Sequence, residues 1–397
     1  MKSWLLLVFF FSGSIFFSTM SLLSLSHISG GLYFTLFNSL LALIIGLTFL
    51  RELFAKKIFI NIKRIQLISI TAILLISILF GYAMFYPAEF VGTILNYFIA
   101  FTLPAILLGL ILTKEDLLLA FSRMKYLNIY LSLTIGASFL NARNFESGRF
   151  LEMGGASHLT IGYTMAALFA YNIIIFLHAP QKNYKVFAAG LMMFNLMIII
   201  FSGSRGALLS LILVFLLVVL SNSNKKKHFI PITVLLGALT IAINSIINTP
   251  QFAVAIERIS NGVINSQQDQ SSQERIQLYE IAYNNFLENP IVGNGVGSFS
   301  KEMGMYYYPH NIFLEIMNDF GLIGVTAAGF IIFSLIGRSV KILNTDYRFH
   351  IIVYWFLGML VQSMITGSYL VNSKFWITFV IIWLFTKDKI KKNVVIN

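Results

Sequence analysis

Uncharged apolar stretches recur along the chain, separated by short polar connectors, at 4–25, 32–50, 65–85, 92–112, 127–140, 159–177, 186–201, 206–220, 229–248, 320–337, 349–366 and 375–385. The hydrocarbon layer of a bilayer, about 30 Å thick, takes roughly 20 residues of α-helix to cross. The pattern therefore predicts an all-α polytopic membrane protein of about twelve transmembrane helices, a single transmembrane domain over 1–397. The fifth and twelfth runs are short, and the fifth gains length if it starts in the amphipathic stretch around 117–121. The first run follows Met1 and Lys2, a positive start that a signal peptide shares. It is long for such a peptide, no Ala-x-Ala-like site follows, and the second run begins almost at once, so it reads as a retained helix.

Composition agrees. At 57% hydrophobic and 11% charged, the 397 residues cannot cover the surface of a soluble protein, which needs charged residues nearer a quarter of the total. A mean hydropathy of +0.81 excludes disorder for the same reason. The net charge of +12 would suggest a polyanion partner in a soluble protein, but in a membrane protein it reports orientation first, and no nucleic-acid partner is expected. The absence of Cys excludes thiol catalysis, Cys-ligated metal and disulfides.

Sidedness tests the twelve-span pattern. With both termini cytoplasmic, 21 of the 28 Lys and Arg and 5 of the 16 acids fall inside, a balance of +16. The outside keeps 7 cations and 11 acids, a balance of −4, and every inner connector is basic, as the positive-inside rule requires. An odd number of spans would break this pattern. One connection is long: 249–309, between the ninth and tenth runs, on the outer side. Within it, 274–288 carries Ile276, Leu278, Ile281, Ala282, Phe286 and Leu287 at helical spacing and predicts an amphipathic helix lying on the membrane face. The next outer loop in length is 141–158, and no internal repeat is visible.

Candidate chemistry follows from which cations lie outside. Sixteen of the 21 inner cations are Lys, whereas five of the seven outer ones are Arg. Arg presents a fixed fork of donors that pairs two ways with phosphate oxygens and does not lose its charge. Arg205, in the short turn Ser202-Gly203-Ser204-Arg205-Gly206 between two spans, must sit at the outer interface. It is either a snorkelling side chain or a ligand-binding one, and Gly203 and Gly206 would let a large polar headgroup approach the backbone. Arg275 opens the 274–288 helix and Arg258 precedes it, with Glu257, Glu274 and Glu280 as alternative salt-bridge partners. Arg143 and Arg149 have Glu146 and Glu152 near them at helical spacing.

His310 is the strongest candidate for catalysis. Pro309 suits the first turn of a helix, which would place His310 at the outer opening of the tenth span, where an imidazole can serve as a general base. An interfacial His with only a polar tip is the alternative. Asn311, Glu315 and Asn318 give the same helix a polar face that a lipid-facing helix would avoid. The other histidines show no metal-ligand spacing, and no metal or other cofactor is expected. Gly293-Asn294-Gly295-Val296-Gly297 lacks the strand–helix setting and the Lys of a nucleotide loop; it reads as a turn, with a phosphate nest the weaker option. Tyr306, Tyr307 and Tyr308 suit an interfacial belt or sugar stacking.

Three segments in order, FSGSRGALLSLILV, ERIQLYEIAYNNFLENPIVGNGVGSF and PHNIFLEIMNDFGLIGV, together span 201–325 and flank one large outer loop. In this they resemble the O-antigen ligase/polymerase superfamily, which includes the Wzy-type polysaccharide polymerases. The resemblance implies a metal-independent glycosyltransferase of the bacterial cytoplasmic (inner) membrane with its active site facing the periplasm or exterior. Its donor and acceptor would be undecaprenyl-diphosphate-linked glycans, with membrane lipid around it and a chain-length regulator as a possible partner. It implies that Arg205 and Arg275 hold the diphosphate and that His310 activates the acceptor hydroxyl. Arg143 and Arg149 match by loop position only, and Arg258, Asn311 and Glu315 are further substrate-binding candidates. A polymerase, which extends a chain on the next lipid-linked repeat, is favoured by the net acidic outer face; a ligase, which moves the chain to lipid A-core, is the alternative. A flippase would carry ionisable groups deep in its spans, and apart from Glu315, Asp319 and His350 the runs hold almost none.

Overall fold

The computed structural model describes residues 1–23, 30–55, 58, 61–85, 88–140, 145–146, 149–150, 152–153, 156–221, 270–303 and 307–385. The ninth run, 229–248, lies outside the described residues, as do Arg143 and Arg258; each of the other eleven runs falls on a described helix. In chain order these helices are α1 (Lys2–Phe10), α2 (Ser12–Leu22), α3 (Gly30–Phe54), α4 (Ile62–Phe85), α5 (Ala88–Tyr97), α6 (Leu103–Ile111), α7 (Lys114–Leu140), α8 (His158–His178), α9 (Lys182–Ser202) and α10 (Arg205–Ser221). After them come α11 (Gln270–Glu288), α12 (Ser298–Glu302), α13 (Ile312–Leu343), α14 (His350–Ile365) and α15 (Ser373–Leu384). Among the described residues, seven helices are long and apolar enough to cross a membrane, eight if α1 and α2 form one bent span, and α10 and α15 are shorter apolar helices.

Three predicted spans are not straight helices. The first breaks at Phe11 into α1 and α2, bent by 70°. The sequence Ser12-Gly13-Ser14 supplies the weak point, since small polar residues tolerate a sharp kink, and Phe10 stacks on Trp355 at 4.3 Å in the angle. The fourth passes through a π-turn at Phe98–Thr102 just before Pro104, which has no N–H to give. The tenth, α13, breaks at Gly321, whose φ of 60° and ψ of −153° are not helical. The fifth starts at Lys114, as the amphipathic stretch suggested, behind a reciprocal cap in which Thr113 and Asp116 each bond the other's backbone N–H.

Described contacts group the connectors by end. At one end, Lys2 pairs with Asp116 at 3.2 Å and Glu52 at 3.8 Å and donates to the Ile111 carbonyl, while Arg64 donates to the Leu110 carbonyl. The N-terminus, the α3–α4 connector and the α6–α7 connector therefore share a face, as charge assigned them. The opposite end carries the turn between α14 and α15, the start of α13 and the α9–α10 turn. There the 141–158 loop holds two antiparallel pairs, β1 (Phe145–Glu146) with β2 (Arg149–Phe150) and β3 (Glu152–Met153) with β4 (Ala156–Ser157). The helical spacing read for Arg149 and Glu146 is thus replaced by a strand register in which the two residues stand opposite each other.

The amphipathic stretch forms α11, four residues longer at its start than predicted. Its Leu278 and Ala282 pack with Phe299 against Leu314 and Tyr307, which docks α11 on the first turns of α13. Ile276, Tyr283 and Leu287 form a second, exposed stripe.

Candidate functional site

The site is organised by one turn, residues 366–372 between α14 and α15. Thr102 Oγ1 donates to the Leu370 carbonyl at 2.7 Å, and Trp376 Nε1 donates to the Tyr369 carbonyl at 2.6 Å. Two helical carboxylates hold the turn from the side. Glu315 accepts from Ser368 Oγ at 2.5 Å and from the Tyr369 N–H at 3.1 Å, and Asp319 accepts from the Tyr369 hydroxyl at 2.6 Å. Both carboxylates and Asn318 are buried.

Thr366 presents its carbonyl to the site. The Tyr308 hydroxyl donates to it at 3.3 Å and His310 Nδ1 lies 3.4 Å from it. A carbonyl only accepts, so this contact places the proton on Nδ1 and leaves the lone pair on Nε2. The rings of Tyr307 and Tyr308 meet the imidazole edge-on, with centroids at 5.6 and 4.5 Å. These two tyrosines frame His310. Burial holds the His310 pKa below its ordinary value; the Thr366 carbonyl opposes this, Arg275 adds to it and Glu274 opposes it. Burial, with Glu315, Tyr307 and Tyr97 acting in the same direction, pushes the Tyr308 hydroxyl up to about 12, so it stays a donor.

The local backbone differs from the sequence expectation. Pro309 is not in the first helical turn. His310 adopts a φ of 57°, the left-handed region, which a non-glycine residue enters at a cost of about 1–3 kcal/mol. Asn311 then caps α13, its Oδ1 accepting from the Phe313 and Leu314 N–H groups. That oxygen is occupied by the helix, and both Glu315 oxygens are occupied by the turn.

Tyr163 links the start of α10 to the Thr366 turn. Gly203, with a φ of 63°, ends α9, and Ser204 starts α10 by accepting from the Ala207 N–H, so Arg205 is the first helical residue. A β-carbon on Gly206 would collide with the Tyr163 hydroxyl. The space read as an approach for a headgroup is therefore filled by Tyr163 of α8. That hydroxyl is buried; it faces the Thr366 side chain without reaching good hydrogen-bond geometry and feels the Arg275 charge, as His310 does. Arg275 thus acts on both Tyr163 and His310, which both face Thr366, and Arg205 directly precedes the Gly206 backbone that lies against Tyr163. Arg149 lies in β2, and Lys374, at the start of α15, reaches the Phe10 ring at 5.7 Å. Among the described residues no three His, Asp or Glu side chains cluster as metal ligands would.

The glycine-rich loop clamps the break in α13. Asn294 and Gly295 N–H groups donate to the carbonyls of Asn318 and Asp319, and Leu322 and Ile323 N–H groups donate to those of Pro290 and Ile291. The hydrogen bonds that the helix loses at Gly321 are made to this loop instead. It works as the structural turn that its sequence suggested.

Beside the site lies an apolar hollow of about 480 Å³ between α4, α13 and α15, bordered by Leu74, Ile316, Phe320, Ala327, Trp376 and Phe379. It begins at Ile312 and Phe313, two and three residues beyond His310. Tyr163, Thr366, Ser368 and Tyr369 escaped the sequence reading because an uncharged residue in a span or a short connector gives no charge signal. The polar run Thr366-Gly367-Ser368-Tyr369 between two apolar stretches was the available clue.

No curated protein and no solved structure matches the chain. Residues 188–329, from within α9 past the break in α13, match the family model described as O-Antigen ligase, a likeness consistent with the O-antigen ligase/polymerase superfamily.

Proposed function

We propose that the protein is a polysaccharide polymerase for O-antigen or capsule, a glycosyltransferase that moves a chain from undecaprenyl diphosphate onto the next lipid-linked repeat unit. The observation that carries this reading is the Arg275 charge acting on both Tyr163 and His310, which both face Thr366, with Arg205 next to the Gly206–Tyr163 contact and an apolar hollow beginning at Ile312. The family match supports an enzyme of the O-antigen ligase/polymerase type acting on lipid-linked sugars in a membrane. In this reading twelve spans cross the inner membrane, both termini are cytoplasmic, and the site faces outward.

The polyprenyl tail lies along the hollow, which places its diphosphate near the outer ends of α10, α11 and α13. Arg205 and Arg275 hold the diphosphate, and their contacts strengthen as charge builds on the leaving oxygen. His310 Nε2 takes the proton of the acceptor hydroxyl as that oxygen attacks the anomeric carbon. The bond from that carbon to the diphosphate breaks, and the electron pair leaves with undecaprenyl diphosphate. The buried imidazole is neutral at neutral pH, as a base must be. Arg143, Arg149 and Arg258 are further substrate contacts in this proposal, and no metal is invoked.

Purified protein given lipid-linked repeats extends them, and His310→Ala at equal protein level loses extension by 100-fold or more. Full-length chains from the variant would sink the assignment. The description of the matched family favours a second reading, a ligase to lipid A-core. A deletion strain separates the two: with a polymerase missing, one repeat unit still reaches the core, and with a ligase missing none does. Protein that only translocates the lipid would instead support a flippase.

A further inference from the structure

Glu315 and Asp319 stand one turn apart on the outer part of α13, 4% and 3% exposed. A carboxylate at membrane depth is costly unless each oxygen finds a donor. Here one short turn supplies both donors to Glu315 and one to Asp319, whose other oxygen accepts from Asn318 Nδ2 at 2.9 Å. Tyr369 is gripped at both ends, its N–H by Glu315 and its hydroxyl by Asp319, while Ser368 gives its hydroxyl to Glu315. Neither carboxylate is left to face a substrate. Three residues before Tyr369, the Thr366 carbonyl receives Tyr308 and faces His310 Nδ1. The 3.4 Å contact is at the edge of hydrogen-bond reach, so a shift of the turn by about 1 Å removes it.

We infer that Glu315 and Asp319 are positioning residues for the His310 base: by clamping Tyr369 they fix the Thr366 carbonyl, and that carbonyl fixes the imidazole tautomer and orientation. This rests on the reading of His310 as the base and reassigns Glu315 from substrate contact to support. An acceptor-only group suits the task because two donors converge on Glu315, and a side-chain amide can accept through only one of its two ends. The charged groups acting on His310 from outside this clamp are Arg275 and Glu274 of α11, which the clamp does not touch.

The test uses the full-length protein in lipid nanodiscs and the variants Glu315→Ala, Glu315→Gln and Tyr369→Phe. Carbethoxylation of His310 by diethyl pyrocarbonate is followed residue by residue with peptide mass spectrometry from pH 5 to 8, in parallel with extension of lipid-linked repeats. His178, stacked on Tyr347 at 4.4 Å at the far end, serves as the internal control for an intact fold. Losing the Thr366 contact removes a stabiliser of imidazolium, so in Glu315→Ala the labelling midpoint of His310 moves to lower pH while that of His178 stays. The same variant loses kcat tenfold or more with KM little changed, and Glu315→Gln recovers part of both. Tyr369→Phe, which keeps the ring and the N–H, gives an intermediate shift and provides the reading if Glu315→Ala does not fold. A His310 labelling curve unchanged in the folded variants overturns the inference, as does a loss confined to KM, which would return Glu315 to the substrate. If labelling shifts as expected but the parent extends no lipid-linked repeat, the clamp stands and the proposed activity falls.

Discussion

The backbone of Gly206 on α10 lies against the hydroxyl of Tyr163 on α8, so closely that a β-carbon at 206 would take the place of that oxygen. This contact joins the turn carrying Arg205 to the turn carrying Thr366. Gly206→Ala forces the helices apart, at a cost of about 1–3 kcal/mol for overpacking. The expected outcome is a shortened glycan ladder at normal protein level, and Gly206→Ala combined with Tyr163→Phe restores part of the ladder because the colliding oxygen is gone. A double variant no better than the single one would show that the collision is not the cause.

Gly293 and Gly295 separate close packing from backbone strain. Both have positive φ, 76° and 88°, but a β-carbon on Gly293 would strike the backbone of Asp319 and Phe320, whereas one on Gly295 meets nothing within 4 Å. Each Ala substitution carries the left-handed penalty of about 1–2 kcal/mol. Only Gly293→Ala also pushes the loop off the broken helix, so its thermal unfolding in detergent falls well below that of Gly295→Ala.

Arg275 and Arg205 should not tolerate Lys. A lysine keeps the charge but gives up the two-pronged contact with phosphate oxygens. Steady-state kinetics on lipid-linked repeats are expected to show KM for the donor up tenfold or more in Arg275→Lys, with a larger loss in Arg275→Gln. Arg205→Lys follows the same order. Equal kinetics for Lys and Arg at both positions would count against diphosphate recognition.

The pH dependence follows from His310. Its pKa is held below the ordinary imidazole value by burial, so the proposed base is deprotonated at neutral pH and is lost only as pH falls through the lowered value. The acid limb of kcat/KM is expected below about 6.5, and Arg275→Gln, which removes a nearby positive charge, moves that limb to higher pH. A limb that moves the other way would contradict the electrostatic arrangement.

Several parts of this site were readable from residue order alone. Arg205 had to lie at a helix end because only a few polar residues separate two apolar runs, and 274–288 had to form a helix because its apolar positions recur at helical spacing. The glycine-rich loop was excluded as a nucleotide site by its context. Other features left weaker marks. The bend at Phe11 and the break at Gly321 each fall within an uninterrupted apolar run, where hydropathy counts residues and is blind to φ and ψ. The β pairs at 145–157 were hidden because acid and base at i and i+3 fit a helix face as well as a two-residue hairpin.

The sequence by itself determined that the chain is helical and membrane-embedded, which connectors share an end, and that Arg205, Arg275 and His310 are the residues to examine. These follow from local quantities: apolar length, charge and spacing. The tertiary structure decided that His310 and Tyr308 share the Thr366 carbonyl, that Tyr163 fills the space beside Gly206, and that Glu315 grips a turn. Those outcomes depend on contacts between segments far apart in the chain, such as Tyr163 with Gly206 and Glu315 with Ser368. A buried hydroxyl or carboxylate is satisfied by whichever donor the packing of other helices brings to it, and spacing along the chain carries no record of that partner.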